Sequence, residues 1–344
     1  MSEAGEGSHR TILVAGVTED DPAPGLETVA ERVRLVPAAE ADDVASLIAE
    51  ADAVFAWRAE AALLEGAWPN ARRVRWIQSA STGVDALLFP ALVESDVEVT
   101  NTRGVFDEGM AEYTLGLLLA FAKDLIGTID HQREGIWAYR HSELLAGTRL
   151  LVVGAGSIGS AVGRLGRACG MRVEGIARTP READPVFERI GGRDELLERL
   201  GEADWVVDVL PGASNTDRLF DARAFAAMRR SARFINIGRG TTVDENALVE
   251  ALDAGRIAGA ALDVFADEPL PDGSPLWAMR NVIVSPHMSG DVVGWERAVV
   301  GVFLDNLDRW LSDEPLHNVV DKRLGYAPRA ALPRPDDAGS VGRR

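Results

Sequence analysis

The chain has 344 residues, 47% of them hydrophobic, with a formal charge of −18 at pH 7. That length can bury two ordinary cores, while the charge repels nucleic acid and anionic lipid, so neither is expected as a partner. A single cysteine, Cys169, excludes an internal disulfide and a multi-cysteine zinc site, so no metal is expected.

Short apolar runs alternate with helix-prone segments along the whole chain, the pattern of parallel α/β folds. The first half offers candidate strands at 11–17, 32–38, 51–57, 74–80 and 97–103. A long helical stretch over 107–134 follows. No apolar run reaches the roughly 18 residues of a membrane span. Residues 1–10 lack the apolar core of a signal peptide, and a cytoplasmic protein is expected.

Arg149–Gly159 reads RLLVVGAGSIG. The apolar run 150–153 predicts a buried strand, and it leads straight into Gly154, Gly156 and Gly159 before a helical segment. Gly-x-Gly-x-x-Gly in that order permits a tight turn, close approach to a pyrophosphate, and tight packing of helix on strand. The helix would then aim its free N–H groups at the phosphates. A dinucleotide site is the reading.

The next strand, 171–178, ends on Arg178, with Thr179 and Arg181 beyond it. An acidic residue there would take the ribose hydroxyls of NAD, whereas arginine suits the 2′-phosphate of NADP. Glu174 lies inside the strand, four residues too early. NADP(H) is therefore favoured, with NAD(H) left open because two solvated arginines would look the same.

Further strands are expected at 205–211, 233–238, 259–265 and 281–286. A last helix over 293–311 has helical apolar spacing at Val299, Val300, Phe303, Leu304, Leu307 and Leu311. Residues 324–344 are rich in Pro, Arg, Asp and Gly and predict a disordered tail. Ligands in such sheets bind beyond the carboxyl ends of the strands. Three late strands end near Arg239, Glu268 and His287. An arginine fork suits a carboxylate and polarises a keto oxygen. Histidine can deliver a proton near neutral pH, and a glutamate on its second nitrogen favours the charged form. The set suits reduction of a 2-keto acid.

With these motifs the chain resembles the D-isomer-specific 2-hydroxyacid dehydrogenase family over roughly residues 10–323. The stretches that carry the resemblance are GAGSIG (154–159), VLPGASNT (209–216), FINIGRGTTVDENALVEAL (234–252), ALDVFADEPLP (261–271), SPLW (274–277) and NVIVSPHMSG (281–290). The resemblance implies two Rossmann-like or flavodoxin-like domains with parallel sheets. An NAD(P)-binding domain of 109–289 would be inserted into a discontinuous substrate domain of 1–108 and 290–323. It puts the family's arginine, glutamate and histidine on Arg239, Glu268 and His287, and its carboxamide-binding aspartate on Asp263. The implied cofactor contacts are Gly154, Gly156, Ser157, Ile158, Gly159, Arg178, Thr179, Arg181, Leu210, Pro211, Thr216, Ile237, Gly238, Asp263, Ser289 and Gly290. Substrate contacts would be Thr82, Gly83 and Val84, whose backbone N–H groups meet a carboxylate, with Arg239, His287 and Trp57. Trp57 could equally be a half-buried interface aromatic.

The arginine at 178 resembles the NADPH-preferring glyoxylate and hydroxypyruvate reductase branch, which implies small 2-keto acids as substrates. A homodimer formed through the apolar helix and residues 121–145 is implied too. Alternatives are a phosphoglycerate- or formate-type dehydrogenase of the same family, or a non-catalytic NAD(P)-sensing protein. A short-chain dehydrogenase is excluded by the absence of Tyr-x-x-x-Lys at Tyr113, Tyr139 and Tyr326.

Overall fold

The computed structural model describes residues 10–59, 61–181 and 184–328. Every apolar run expected in the first hundred residues forms a strand: β1 Thr11–Ala15, β2 Arg34–Ala38, β3 Ala53–Ala56, β4 Trp76–Ser79 and β5 Glu98–Thr100. They pair in parallel in the order β2-β1-β3-β4-β5. β1 and β3 are buried at every position. Both faces of a parallel strand are covered, which explains their unbroken apolar sequences.

The second sheet holds β6 Arg149–Val153, β7 Arg172–Ile176, β8 Ile190–Gly191, β9 Trp205–Asp208, β10 Arg233–Asn236, β11 Gly259–Leu262 and β12 Val282–Val284. Its order is β12-β11-β10-β9-β6-β7-β8, again all parallel. Strand order reverses between β6 and β9, and a crevice opens there at the carboxyl ends. The two sheets are Rossmann-like, as the sequence implies.

The expected helix over 107–134 is two helices, α1 Asp107–Ala122 and α2 Leu125–Glu134. Asp124 divides them with a left-handed φ of 48°, and its carboxylate accepts the Gly127 N–H at 3.2 Å. Aspartate tolerates that conformation and caps the next turn. α1 packs Ala111, Leu117 and Leu118 into one cluster with Leu150, Val152 and Trp205 of the second sheet. After β6 comes α3, Ser157–Ala168.

The last helix, α4, runs over Trp295–Leu311. It starts two residues later than expected because Gly294 sits at φ 86° and Val293 is fully exposed. Val299, Val300, Phe303 and Leu307 of α4 are buried against the first sheet. Phe303 stacks on Phe55 at 4.3 Å and on Trp76 at 5.5 Å. Buried Asn306 donates to Gln78 Oε1 at 2.9 Å and ties the same helix to β4.

The first residues of the expected tail are tied to the first domain. Asp321 bridges Tyr326, and Arg103 Nη1 donates to the carbonyls of Ala327 and Pro328 at 3.4 and 3.1 Å. Ala327 is buried in the first-sheet cluster. The rest of that expected tail, 329–344, lies outside the described residues. Among the described residues no helix is long and apolar enough to cross a membrane.

Phe303 has no exposed surface. Phe303→Ala is predicted to cost about 3–5 kcal/mol, measured by urea unfolding. A loss under about 1 kcal/mol would contradict its place at the centre of that stack.

Candidate active site

The turn after β6 sits at the switch point. Gly154 has φ +110°, and a methyl at Gly159 would lie 2.1 Å from the Gly154 carbonyl, so the helix closes onto the turn only with glycine there. Gly156 is the N-cap of α3, and no side chain caps that end. A methyl on Gly156 would meet nothing within 4 Å. Among the described residues the Ser157 and Ile158 N–H groups have no backbone hydrogen-bond partner, and Gly156 beside them is exposed, as a bound anion requires.

Arg178 and Thr179 are exposed just past the end of β7. Glu174 is paired with Arg199 at 3.3 Å, so the one acid in that strand is already engaged. Arg181 turns back to donate to the Ala155 carbonyl at 3.2 Å, beside the glycine turn. The Arg178 guanidinium lies 5.6 Å from the ring of Tyr326, a contact that composition hides because Tyr326 sits in a tail-like stretch.

On the other side of the crevice, β10, β11 and β12 bring their following loops to one edge. His287 Nδ1 lies 2.7 Å from Glu268 Oε2, and Glu268 Oε1 accepts the Phe265 N–H at 2.9 Å. The bond to Glu268 raises the His287 pKa above the usual histidine value, despite partial burial and the opposing charge of Arg239. Burial works to raise the Glu268 pKa, but its bonds to His287 and Phe265 hold it below the ordinary glutamate range. With Nδ1 occupied, Nε2 is the nitrogen left to exchange a proton.

Arg239 follows β10 and points toward the first sheet. Its Nε contacts both Asp85 oxygens at 3.2 and 3.1 Å, and Nη1 donates to the Gly238 carbonyl at 2.9 Å. A methyl on Gly83 would lie 1.6 Å from Arg239 Nη2, so the guanidinium rests against the 81–85 loop. Val84 anchors that loop in the first-sheet core. Among the described residues the N–H groups of Gly83 and Val84 have no hydrogen-bond partner. Thr82 is held by Asn101, which donates to its carbonyl at 2.7 Å. Asp85 was not singled out from sequence; its place two residues past Gly83 was the available signal.

Several residues expected to contact ligands are buried and also support loops. Asp263 has no exposed surface. Its carboxylate accepts the Ser285 hydroxyl and the N–H groups of Met288 and Ser289, and its carbonyl accepts the His287 N–H at 2.8 Å. These bonds shape the histidine loop, and Gly290 follows at the loop's end. Trp57 is 7% exposed and stacked on Trp295 at 5.8 Å. Ile237 is 1% exposed and belongs to the core under α1. Gly238 is buried too, against the backbone of half-buried Leu210. The Thr216 hydroxyl staples its own loop to the carbonyls of Pro211 and Ala213.

The sequence profile for D-isomer specific 2-hydroxyacid dehydrogenase, NAD binding domain, matches residues 115–289. Glyoxylate/hydroxypyruvate reductase B of Shigella dysenteriae is 33% identical over 295 residues, 82% of this chain and 88% of that one. D-3-phosphoglycerate dehydrogenase of Methanocaldococcus jannaschii is 30% identical over 90% of this chain, which spans 59% of that protein's length. The crystal structure of a D-isomer specific 2-hydroxyacid dehydrogenase from Xanthobacter autotrophicus Py2, in complex with NADPH and MES, has a TM-score of 0.77 at 31% identity. That match covers 93% of this chain and 100% of the other.

The chain therefore belongs to the D-isomer specific 2-hydroxyacid dehydrogenase family. Membership makes it a nicotinamide-dependent oxidoreductase.

Because Glu268 raises the His287 pKa, the imidazolium should lose its proton at lower pH in Glu268→Gln. Stability follows the same sign: the histidine's contribution is full below its unfolded value of 6.5 while Glu268 stays ionised, and fades as pH rises through the higher folded one. An NMR titration of the His287 ring checks this. An unmoved midpoint in Glu268→Gln would show that the carboxylate does not set it.

Proposed function

We propose that the protein reduces small 2-keto acids of the glyoxylate or hydroxypyruvate kind to D-2-hydroxy acids, with NADPH preferred over NADH. The observation that carries this reading is the His287–Glu268 pair beside Arg239, at the sheet edge that also holds the open glycine turn. The bound dihydronicotinamide supplies the hydride that forms the new C–H bond.

The chain's own residues do the rest. Asp85 fixes the Nε edge of Arg239 and the Gly238 carbonyl takes Nη1, which leaves Nη2 against the loop where the Gly83 and Val84 N–H groups are free. A substrate carboxylate fits those donors, and Arg239 also polarises the adjacent keto oxygen. As negative charge grows on that oxygen, the His287 Nε2–H proton passes to it. Glu268 stabilises the imidazolium before the transfer and keeps the ring oriented after it. In the reverse direction neutral His287 takes the hydroxyl proton.

The exposed pair Arg178 and Thr179, with Glu174 already paired to Arg199, supports a cofactor carrying a 2′-phosphate. Relatives named as glyoxylate/hydroxypyruvate reductases and the NADPH complex lend the same support. The proposal includes a homodimer. Leu125, Ile126, Ile129, Ile136, Trp137 and Leu144 are each exposed by 42% or more along α2 and the segment after it. Such a contiguous apolar surface suits a second copy of the chain.

A panel of keto acids against both reduced cofactors tests the proposal. Glyoxylate with NADPH should oxidise the cofactor, and inertness toward the whole panel would overturn it. Arg178→Asp should lower the preference for NADPH by about 10-fold or more through loss of a charge-assisted phosphate contact. An unchanged NADPH/NADH ratio would show that the phosphate is held elsewhere.

A further inference from the structure

The turn that carries Arg239 hangs on a buried carboxyl that proton delivery does not use. Asp208 ends β9 at the switch point and has no exposed surface. Val153 and Asn236 are its neighbours across the sheet. Its Oδ1 accepts the Leu210 N–H at 3.0 Å, and its Oδ2 lies 2.5 Å from the hydroxyl of Thr242, itself fully buried. That hydroxyl oxygen also lies 2.6 Å from the Arg239 carbonyl. The carbonyl takes a second bond from the Asn236 amide at 3.0 Å.

The protons in this chain can be counted. A threonine hydroxyl brings one, and a carbonyl brings none. Two oxygens stand within 2.6 Å of Thr242 Oγ1, and one hydroxyl proton shared between them serves both poorly, whereas a protonated Asp208 gives each contact its own proton. Asp208 itself is the remaining source of a second proton.

We infer that Asp208 is carried as a neutral carboxylic acid, donating from Oδ2 to Thr242 Oγ1 while Thr242 donates onward to the Arg239 carbonyl. This relay makes Asp208 and Thr242 positioning residues for the arginine. The surroundings fit: burial pushes the Asp208 carboxyl up to about 7, against the bonds from Thr242 and Leu210. Among the described residues no charged side chain, from the loops after β6, β9 or β10, contributes to that shift. A carboxyl buried without a cation keeps its proton instead of its charge.

With its carbonyl fixed by Thr242 and Asn236, Arg239 leaves the turn at a set angle toward Asp85 and Gly83. The kinetic consequence rests on the proposed role of Arg239 with keto acids; the protonation state does not.

Infrared difference spectra of the wild type against Asp208→Asn, at a pH just below neutrality, read the proton directly. The wild type should show the carbonyl stretch of a neutral carboxylic acid that the variant lacks; absence of that band would overturn the inference. Stability gives a second readout. A carboxyl whose pKa rises from 3.8 to about 7 on folding stabilises the protein at low pH and loses that contribution as pH rises. The melting temperature of Asp208→Asn relative to wild type should therefore climb between about pH 4 and about pH 7 and then level off. A flat difference would contradict the account.

For positioning, Thr242→Val should raise the KM for glyoxylate about 10-fold with NADPH affinity unchanged, and Thr242→Ser should restore it. Equal losses in glyoxylate and NADPH binding would reduce the relay to a folding element. If the wild type turns over no keto acid, the proposed function fails while the infrared band still decides the proton.

Discussion

The 2.7 Å contact between His287 Nδ1 and Glu268 Oε2 is the interaction on which the rest of the chemistry depends. It exists because consecutive parallel strands deliver their carboxyl ends to one edge, so the loops after β11 and β12 leave the sheet side by side. The bond settles which ring nitrogen is available and raises the proton affinity of the ring. An isolated exposed histidine would have neither property.

Several polar residues hold those loops in place. Asp263 uses both carboxylate oxygens and its carbonyl to shape the segment from Ser285 to Ser289. Asn236 and Thr242 do the same for the turn bearing Arg239. Asp85 then ties that arginine to the first sheet. The His287 ring and the Arg239 guanidinium are thus both held in place by carboxylates. Such preorganisation is the main physical means by which an enzyme lowers this barrier.

The parallel strands were legible because burial on both faces leaves continuous apolar runs such as Ile12–Ala15 and Leu150–Val153. The glycine turn was legible because its three positions answer to specific close approaches. β8, only Ile190–Gly191, is too short to carry a period. The break at Asp124 was hidden because the apolar pattern continues across it and only a backbone angle interrupts it. Burial was the harder property to read. Asp263 and Trp57 have chemistry that invites a ligand, yet one lies wholly under a loop and the other under Trp295. Asp85 was missed for the opposite reason, since its partner Arg239 is 154 residues away in sequence.

The most direct measurement compares turnover and nucleotide affinity in His287→Asn. The account predicts that glyoxylate reduction falls by a factor of about 10² to 10⁴ while NADPH binds as in the wild type. Turnover close to that of the unaltered protein would contradict it, because the imidazole could not then be the proton donor.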